Sequence, residues 1–548
     1  MQLLPYGNCL WRGNSFVKVV LYKGRWTVYG IYLRNYEHER AYIMYNLGII
    51  GFGVVGKSIL SFLRKYHHQG QVAIDQDFAE PTDQLFESVE VWDKRPLDAT
   101  ERALIQAYGA HVADSSIIDL TTFVASHDYV IASPGVDVSA CGAYQHKVLC
   151  ELDFFANFFK KPTIAITGSL GKTTTTKLID ALAQLLPVGQ RARAAAFQAM
   201  REQLPDATVL RPWEGGNIGT GMLDLISEQD NFDCAILELS SFQLERSKKF
   251  ASDIAVWTNF YPNHLDRHKT LEQYFEAKLN LFLAQRADQV AIMSSDLLYG
   301  PIGDTVHRAL KQVRAELVVC SQSALTPVLQ NILPERRVTF ITNEQGQAIL
   351  QVVANGTVMH REHIITMADL PPVTFASNWL QVIATLYAMG LDLSKLASVL
   401  HEHRESLLSD LQYRVRHFAT VRGVDFYDDS KSTIAQATLA AVHKIAEQGR
   451  PINLIIGGLG KGVDRSWLME ELQQLPAIKR LFCFGPECAV FAQATAHATL
   501  ESVMGALALV MEPGEIVLFS PSGTSFDFFR NYEHRGQVFE SLVKKLAS

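Results

Sequence analysis

The sequence predicts an α/β protein built from three domains. Its 548 residues exceed what one ordinary core holds, since domains typically take about 100–200 residues each. Hydrophobic residues make up 48% of the chain and charged residues 20%, which is typical of a protein that buries sizeable cores. Patterns of strand, glycine-bearing turn and helix recur in three regions. We expect a Rossmann-like N-terminal domain, a central P-loop ATPase-type domain with a parallel sheet, and a C-terminal Rossmann-like domain.

The domain boundaries follow from where these patterns restart. We expect the domains to span residues 45–160, 161–410 and 411–548. Residues 1–44 do not join the alternation and form an N-terminal extension, which is either genuine or the result of a misplaced start codon. Both explanations stay open at the level of the sequence.

The charge and the cysteine content indicate which binding partners and which cell compartment are expected. The net charge of −7 is spread along the chain, which favours neither nucleic acid nor an anionic membrane, and no apolar run is long enough to span a bilayer. The first residues lack the order of a secretory signal. Seven scattered cysteines without a C-x-x-C pair predict reduced thiols and no zinc site. We expect a cytoplasmic monomer that acts on small molecules.

The first domain opens on a strand and a glycine turn. The run NLGII leads into Gly51-Phe-Gly53-Val-Val-Gly56 and a helical pattern, an arrangement whose backbone amides can face a phosphate. The acidic residue expected after the second strand is Asp93, delayed by a polar insertion at 67–88. A third strand ends in Ser133-Pro134-Gly135. Each glycine alone is equally consistent with a tight turn that has no ligand.

The second domain carries a phosphate-binding pattern. TIAIT is followed by Gly168-Ser-Leu-Gly171-Lys172-Thr173 and then by a helical pattern. Loop amides attract phosphate oxygens, Lys172 adds a positive charge, and the Thr173 hydroxyl suits Mg²⁺. Ile166 stands where a longer P-loop has its first glycine. Helix capping alone would not require the lysine, so the pattern favours a nucleotide site.

Further polar residues follow the later strands. The strand DCAILE ends on Glu238, where a carboxylate can hold Mg²⁺, and the next strand runs into a loop with His264, Asp266, Arg267 and His268. Lys278 lies in an amphipathic helix, where a lysine is commonly a surface residue. In the last domain four strand patterns end in Gly, Ser, Lys or Asp turns, which predicts a second doubly wound sheet with its site at the carboxyl edge.

Taken in order, these motifs resemble the Mur ligase family from about residue 46 to the C-terminus. The motifs are TGSLGKT, GGNIG, LELSSFQLE, NHLDRH, EAKLNLF, DDSKST, GGLGKGVD and SPSGTSFDFFRNYEHRG. The ordered set is specific, although no single motif is. The ATP loop of the family resembles T-G-x-x-G-K-[ST]-T, so the resemblance implies that Ile166 is the normal form.

The resemblance is strongest to the branch of the family that adds D-glutamate to UDP-N-acetylmuramoyl-L-alanine. It implies an ADP-forming amide ligase of peptidoglycan precursor synthesis, and hence a part in cell-wall biogenesis, cell shape and cell division. ATP phosphorylates the substrate carboxylate to an acyl phosphate, and the amino group attacks through a tetrahedral intermediate. The implied cofactors are ATP and two Mg²⁺, with a carbamylated Lys278. The first domain then binds the UDP substrate, the central one ATP, and the C-terminal one the amino acid.

The resemblance also assigns residues by position. The implied catalytic residues are Lys172, Asn217, His264 and Lys278. The implied ATP contacts are Gly168, Ser169, Gly171, Lys172, Thr173, Thr174, Asn378, Arg414 and Asp429, and the implied magnesium ligands are Thr173, Glu238, His264 and Lys278. The UDP substrate is assigned Gly53, Val54, Val55, Asp93, Arg95, Ser133 and Gly135, and D-glutamate is assigned Lys431, Thr433, Lys461, Ser525 and Tyr532.

Several positions depart from the family pattern. They are Asn263 in place of Asp, Ser169-Leu170 in the ATP loop, Ser377 and Tyr413 in place of His, and Tyr532 in place of Phe. An Ala/Arg-rich insertion covers residues 189–209. Three alternatives stay open: a sister ligase with another amino acid or acyl substrate, a degenerate nucleotide binder, and a dinucleotide-dependent oxidoreductase indicated by the Gly51-x-Gly53-x-x-Gly56 turn. The oxidoreductase would leave Lys172 and the metal residues unexplained.

Overall fold

The computed structural model describes residues 8–12, 15–22, 25–33, 44–67, 85–189, 191–219, 221–300, 302–333, 335–371, 374–409 and 415–547. The chain divides into two compact units. The first contains Met1–Ala165, Leu210–Asp253 and Asn280–Arg286, and the second contains Ile166–Val209, Ile254–Leu279 and Ala287–Ser548. The three-domain division by residue number stays a prediction.

The N-terminal extension forms a sheet of its own. Three antiparallel strands follow one another as β1 (Asn8–Arg12), β2 (Ser15–Tyr22) and β3 (Arg25–Leu33). This sheet is separate from the α/β sheet that follows.

A five-stranded parallel sheet in the order β6-β5-β4-β7-β8 follows in the first unit. Its strands are β4 (Met44–Ile50), β5 (Leu85–Trp92), β6 (His111–Val112), β7 (Tyr129–Ala132) and β8 (Val148–Leu149). Its helices are α1 (Val54–His67), α2 (Ala99–Ala107), α3 (Leu120–Ser126) and α4 (Glu151–Phe158). The first strand lies in the middle, so the strand order reverses beside it, which is where such sheets bind ligands. The predicted Rossmann-like opening is confirmed; most of the 67–88 insertion, residues 68–84, lies outside the described residues.

The rest of the first unit carries Glu238. β10 (Pro212–Gly216) pairs in parallel with β11 (Cys234–Glu238), and the helices α7 (Met222–Ile226) and α8 (Ser241–Leu244) follow these strands. Every residue of β11 is buried, because Ala, Ile and Leu fill it, and the strand ends on the predicted carboxylate. The N–H of Ala235 donates to the carbonyl of Pro162, just before β9 (Thr163–Thr167).

The second unit begins within β9. Parallel strands β12 to β15 are followed by an antiparallel pair, β16 and β17. The strands are β12 (Ile254–Trp257), β13 (Val290–Ser294), β14 (Glu316–Ser321), β15 (Val338–Glu344), β16 (Gln347–Ala354) and β17 (Thr357–Thr366). The helices are α5 (Lys172–Ala183), α6 (Ala195–Arg201), α9 (Leu265–His268), α10 (Leu271–Leu283), α11 (Gly303–Leu310), α12 (Pro327–Gln330) and α13 (Ala376–Met389).

The insertion at 189–209 is folded against the second unit. It contains α6, and the Arg193 guanidinium forms an ion pair with Glu316 at 2.7 Å. The N–H of Gly189 donates to the carbonyl of Gly390, and that of Ala195 donates to Asp288. These contacts fix the first residues of the insertion, 189–195.

The C-terminal sheet has six strands in the order β18-β19-β23-β20-β21-β22. They are β18 (Arg416–Val421), β19 (Val424–Asp428), β20 (Ile452–Gly457), β21 (Ile478–Phe484), β22 (Thr495–His497) and β23 (Ile516–Phe519). The helices are α14 (Leu396–Glu402), α15 (Arg404–Ser409), α16 (Ala435–Ala446), α17 (Trp467–Gln473), α18 (Leu500–Val510) and α19 (Tyr532–Ala547). Only β18 is antiparallel to its neighbour. The four predicted strands are present, whereas β18 and β22 at the edges are additional.

The expectation of seven reduced thiols is wrong for one pair. Cys483 and Cys488 form a disulfide, with Cα atoms 5.6 Å apart. The pairing arises because β21 ends at Phe484 and the chain then turns back within five residues. Within the described ranges, no helix has the length and apolarity that a bilayer span requires.

Candidate functional site

The P-loop joins the end of β9 to α5. Two of its residues are glycines with positive φ, Gly168 at 147° and Gly171 at 80°. A Cβ on Gly168 would lie 1.9 Å from the Thr258 hydroxyl oxygen, and one on Gly171 would lie 2.6 Å from the Asn378 amide nitrogen. Both positions therefore require glycine. The Lys172 Nζ donates to the loop carbonyl of Gly168 at 3.0 Å, so the lysine bends over its own loop.

Asn259, at the end of β12, holds the P-loop in shape. Its carbonyl accepts from the N–H of Ser169 at 3.1 Å, and its side-chain oxygen accepts from the N–H of Leu170 at 2.8 Å. Its amide nitrogen and the Thr258 hydroxyl both donate to the carbonyl of Leu170. The N–H groups of Ser169 and Leu170 are thereby bonded within the protein and do not point at a ligand. The phosphate-binding role then falls to the remaining loop amides, the helix start and Lys172.

Lys278 is a buried residue, with 1% of its surface exposed, and the surface interpretation from the sequence is wrong. Its Nζ donates to the Thr167 hydroxyl at 3.2 Å and to the Gly168 carbonyl at 3.0 Å, directly at the P-loop. The Tyr274 ring lies 4.8 Å from the same nitrogen. Burial disfavours the ammonium form of a lysine, so this position suits a lysine that is used chemically.

Tyr274 connects the P-loop to the His264 turn. Its hydroxyl lies 3.2 Å from the Ser169 hydroxyl and also bonds Asn263, and burial raises the pKa of the phenol. Ser169 in turn donates to the carbonyl of Tyr261. Two positions that depart from the family pattern, Ser169 and Asn263, are thus partners of one buried tyrosine.

His264 has a left-handed backbone, with φ 56°, at the start of α9. Burial, and then the positive charges of Lys461, Lys278 and Lys172 in that order, lower the pKa of His264 to about 2. The imidazole is therefore neutral at any physiological pH, which is the form that binds a metal ion. A histidine with only a structural role would not need three lysine charges acting on it, so these charges favour a functional role for His264.

Lys461 belongs to the C-terminal sheet but lies at the His264 turn. Its carbonyl accepts from the N–H of Asp266 at 3.3 Å, and a Cβ on Gly462 would lie 2.9 Å from that nitrogen. Burial lowers the pKa of Lys461 to about 8, helped by the charge of Lys172 and opposed by Asp266. The charges of three lysines from separate segments of the second unit thus act on one imidazole. Such a cluster favours an anionic ligand with several negative oxygens.

The residues assigned to the amino acid lie on loops at the carboxyl end of the C-terminal sheet. Lys431 and Thr433 follow β19, Lys461 follows β20, and Ser525 follows β23. The Lys431 Nζ lies 4.9 Å from the centre of the Tyr532 ring. The parallel order of these strands brings the three loops to one edge, as the sequence predicts.

Of the three residues assigned to ATP outside the P-loop, Asp429 and Asn378 lie within the described residues and Arg414 does not. Asp429 accepts from Ser520 at 2.7 Å and from Ser432, and it also accepts from the N–H of Val415. Asn378 is buried against Gly171 and donates to the Thr374 hydroxyl at 2.7 Å. Arg414, like Tyr413, lies outside the described residues.

In the first unit, Asn217 and Glu238 form a pair. The N–H of Asn217 donates to the carbonyl of Glu238 at 2.7 Å, and its side-chain amide donates to the carboxylate at 3.0 Å. Gly216 makes the turn possible, since a Cβ there would lie 2.4 Å from the Glu238 carbonyl oxygen. The carboxylate is thereby held in place by the amide, and carboxylate oxygens suit a magnesium ion.

The glycine turn of the first unit gathers the residues assigned to UDP. Gly53 has open space on the Cβ side, and Val54 is 63% exposed. Asp93 accepts from the N–H of Phe52 at 2.7 Å, and the Ser133 hydroxyl donates to the Gly51 carbonyl at 3.0 Å. Val55 and Gly135 lie in the same two turns.

Arg95 points partly away from this turn. Both of its terminal nitrogens donate to Glu101 at 2.7 Å, and this bond raises the pKa of Arg95 and lowers that of Glu101 to about 2. A role for Arg95 at the uracil needs the side chain to exchange this partner. The position relative to Asp93 is nevertheless close, because the Arg95 N–H donates to that carboxylate.

The sequence did not single out several residues that shape the site. Tyr274 lies one helical turn before Lys278, so helical spacing could have indicated it. Asn259 lies two residues beyond the end of β12, in the same kind of position as Glu238 at the end of β11. Arg465 and Arg535 lie within or beside quoted motifs, but their partners are distant in sequence. Across the described residues, no three His, Cys, Asp or Glu side chains gather to hold a metal ion by themselves.

The fold and the site define a nucleotide-dependent enzyme of the α/β class with a P-loop. The Mur ligase middle domain matches residues 166–385. The chain is 30% identical over 434 residues to a UDP-N-acetylmuramoylalanine--D-glutamate ligase of Koribacter versatilis, covering 77% of this chain and 84% of the relative. It is 28% identical over 508 residues to a ligase of the same name from Vibrio cholerae, covering 91% and 98%. The crystal structure of MurF from Acinetobacter baumannii is similar with a TM-score of 0.47 and 14% identity, covering 89% of this chain and 98% of that one.

The chain belongs to the Mur ligase family. The resemblance drawn from the ordered motifs is confirmed, and with it the α/β fold class and the prediction of a ligase. The oxidoreductase alternative is thereby set aside.

Proposed function

We propose that this protein is an ATP-dependent ligase that joins D-glutamate to UDP-N-acetylmuramoyl-L-alanine. The observation that carries the proposal is that the charges of Lys172 and Lys461 both act on His264 at the P-loop, where the buried Lys278 bonds the same loop. An acyl phosphate and the tetrahedral intermediate that follows it each concentrate negative charge, which such a cluster neutralises. The names of the relatives supply the substrates.

For the first step, the P-loop grips the ATP phosphates. Lys172 supplies a charge that reaches the β/γ phosphates, and the loop from Gly168 to Thr174 supplies amides and hydroxyls. The buried side of the loop is already fixed by Asn259, so little reorganisation accompanies binding. By family resemblance, Asn378, Arg414 and Asp429 contact the nucleoside.

Magnesium would be held by a hydroxyl, a neutral imidazole and carboxylates. The Thr173 hydroxyl and the His264 imidazole have the chemistry that the metal needs, and the family pattern adds Glu238. When bound, magnesium neutralises phosphate charge during the transfer. We propose two such ions, with Asn217 contacting the phosphates and the acyl substrate.

Lys278 is proposed to react with CO₂. The neutral amine attacks the carbon of CO₂, a C–N bond forms, and loss of one proton leaves a carbamate anion. Burial disfavours the ammonium form and so favours the neutral amine that this reaction requires. The modification replaces a cation that would repel magnesium with an anion that would attract it.

The amino acid is proposed to bind through Lys431, Lys461, Thr433, Ser525 and Tyr532. Two lysines on different loops suit an amino acid with two carboxylates. The uridine diphosphate part of the other substrate is proposed to bind at Gly53, Val54, Val55, Asp93, Arg95, Ser133 and Gly135. A sister ligase with another amino acid remains a second candidate, because Tyr532 departs from the family pattern at this pocket.

The test is phosphate release by the purified protein with Mg-ATP and UDP-N-acetylmuramoyl-L-alanine. D-glutamate, L-glutamate, L-lysine and meso-diaminopimelate are compared with no amino acid. Release that needs both the nucleotide precursor and D-glutamate, and that is lost in Lys172→Ala, supports the proposal. Release with another amino acid identifies a sister ligase, and no release under any condition indicates a degenerate binder.

A further inference from the structure

Two fully buried arginines lie beneath the amino-acid pocket. Arg465 is 2% exposed and Arg535 is 0% exposed. Three loops carry the residues assigned to the amino acid: the Lys431 loop (429–433), the Lys461 loop (457–462) and the Ser525 loop (520–525). Each arginine bonds backbone carbonyls of two of these loops.

Arg465 joins the Lys461 loop to the Ser525 loop. One terminal nitrogen donates to the carbonyls of Gly457 and Ser522, both at 3.2 Å, and the other donates to the carbonyl of Gly458 at 2.8 Å. The two loops also exchange backbone hydrogen bonds between Leu459 and Thr524. A guanidinium, with donors in a fixed planar fork, sets the spacing of three carbonyls at once.

Glu487 completes this connection. Its carboxylate accepts from Arg465 at 2.6 Å and from the N–H of Gly460 at 3.0 Å, one residue before Lys461. The next residue, Cys488, is bonded to Cys483 at the end of β21, which ties the Glu487 turn to the sheet. The carboxylate therefore holds both the arginine and the loop that presents Lys461.

Arg535 joins the Ser525 loop to the Lys431 loop. Its terminal nitrogens donate to the carbonyl of Gly523 at 2.9 Å and to that of Ser430 at 2.7 Å. Burying a guanidinium is costly for stability, and hydrophobic replacement of buried charges is often tolerated. Two such residues bonded to three neighbouring loops therefore indicate a use at the pocket.

We propose that Arg465 and Arg535 are positioning residues that fix the separation of Lys431, Lys461 and Ser525, and so select an amino acid with two carboxylates at one spacing. The inference rests on the proposed function, because it takes those three residues as the amino-acid contacts. Neither arginine needs to touch the substrate. Their effect is on the Michaelis constant for the amino acid rather than on nucleotide binding.

The test compares Arg465→Met and Arg465→Lys with Arg480→Met. Arg480 is a matched control because it lies in β21 of the same sheet and bonds the buried Glu515, away from the three loops. We expect Arg465→Met to raise the Michaelis constant for D-glutamate about ten-fold or more, which corresponds to about 1.4 kcal/mol. The constants for ATP and for the UDP substrate stay close to the wild-type values.

Two milder substitutions, Arg465→Lys and Glu487→Gln, should have smaller effects on the Michaelis constant for D-glutamate. Arg465→Lys retains the charge but loses the fork, so the increase in the Michaelis constant is smaller. Glu487→Gln keeps one acceptor oxygen but loses the charge and the second oxygen, so its increase is also smaller than that of Arg465→Met. Arg480→Met lowers the melting temperature without a selective effect on D-glutamate. An unchanged constant for D-glutamate in Arg465→Met would overturn the inference, as would parallel increases for all three substrates.

Hydrogen exchange separates this inference from the proposed function. If the wild-type enzyme does not use D-glutamate, the proposed function fails, and the loops are then tested directly. In Arg465→Met, amide exchange should accelerate in residues 457–462 and 520–525 and stay unchanged in β21. Equal exchange in both loops would contradict the role of Arg465.

Discussion

At the scale of single residues, the site is set by positive charges around one neutral histidine. Burial, and then the charges of Lys461, Lys278 and Lys172, lower the pKa of His264 to about 2, so the imidazole is neutral across the physiological pH range. The lysines are therefore the groups that respond to bound phosphate.

Replacing Lys172 removes the charge that faces the phosphates. We expect Lys172→Ala to lower kcat by about 10²–10³-fold, the usual cost of losing one preorganised electrostatic group. Lys177→Ala, on the same helix but without a proposed role, is the control. Steady-state phosphate release measures both variants, and equal activity of the two would contradict the assignment of Lys172.

Lys278 should make the rate depend on CO₂. Protein held in degassed buffer loses the carbamate, and added bicarbonate restores both activity and a ¹³C carbamate signal. Lys278→Arg keeps a cation, cannot form the carbamate under these conditions, and should respond to neither treatment. Full activity of the wild type without CO₂ would rule the modification out.

At the scale of elements, the P-loop depends on its second glycine. An alanine at Gly171 would be strained at φ 80° and would meet the Asn378 side chain. We expect Gly171→Ala to cost about 1–2 kcal/mol of stability from the left-handed backbone alone, and to weaken ATP binding further. Gly505→Ala in α18, where a Cβ meets nothing within 4 Å, should be neutral or stabilising. Thermal unfolding and ATP titration distinguish the two.

The start of α4 carries a buried carboxyl group. Burial, and then the Asp224 carboxylate, raise the pKa of Glu151 to about 8 against the lowering effect of the Met222 N–H. Because the folded pKa lies above the unfolded value of 4.5, the stability from this group is present below that value and is lost as the pH rises through about 8.

Glu151→Gln should therefore match the wild type near about pH 4 and exceed it by roughly 3–5 kcal/mol near about pH 9. The exposed Glu272→Gln serves as the control, and denaturant unfolding across the pH range gives the readout. A difference that does not depend on pH would show that Glu151 is ionised throughout.

At the scale of the whole molecule, ligand binding should appear as stability. At a Mg-ATP concentration about 100-fold above its dissociation constant, the free energy of unfolding rises by about 2.7 kcal/mol. EDTA, or Lys172→Ala, should remove this gain. Stabilisation that persists in EDTA would show that magnesium contributes nothing to nucleotide binding.

Much of the fold could be predicted because the sequence patterns that indicate strands and turns lie within short stretches of the chain. TIAIT and DCAILE are apolar runs that end in polar residues, and both form buried strands that end near the predicted positions. The edge strand β18 (Arg416–Val421) was missed because its short sequence mixes polar and apolar residues without a clear alternation, and only Val421 is buried.

The site residues were predictable where they belong to a short local sequence pattern, as Lys172 and Glu238 do. They were not predictable where a side chain bonds backbone atoms far along the chain. Arg465 bonds Ser522 and Arg535 bonds Ser430, and no spacing rule connects such pairs. The Lys278 surroundings were likewise hidden, because amphipathic spacing does not distinguish a snorkelling lysine from one buried against a loop.

Formation of an acyl phosphate is tested most directly by following an oxygen atom from the substrate carboxylate to the released phosphate. UDP-N-acetylmuramoyl-L-alanine labelled with ¹⁸O in its carboxylate is incubated with the enzyme, Mg-ATP and D-glutamate, and the phosphate is analysed by mass spectrometry. An acyl phosphate transfers one labelled oxygen to each phosphate released, in step with amide formation. Unlabelled phosphate, or phosphate formed without amide product, would contradict the account.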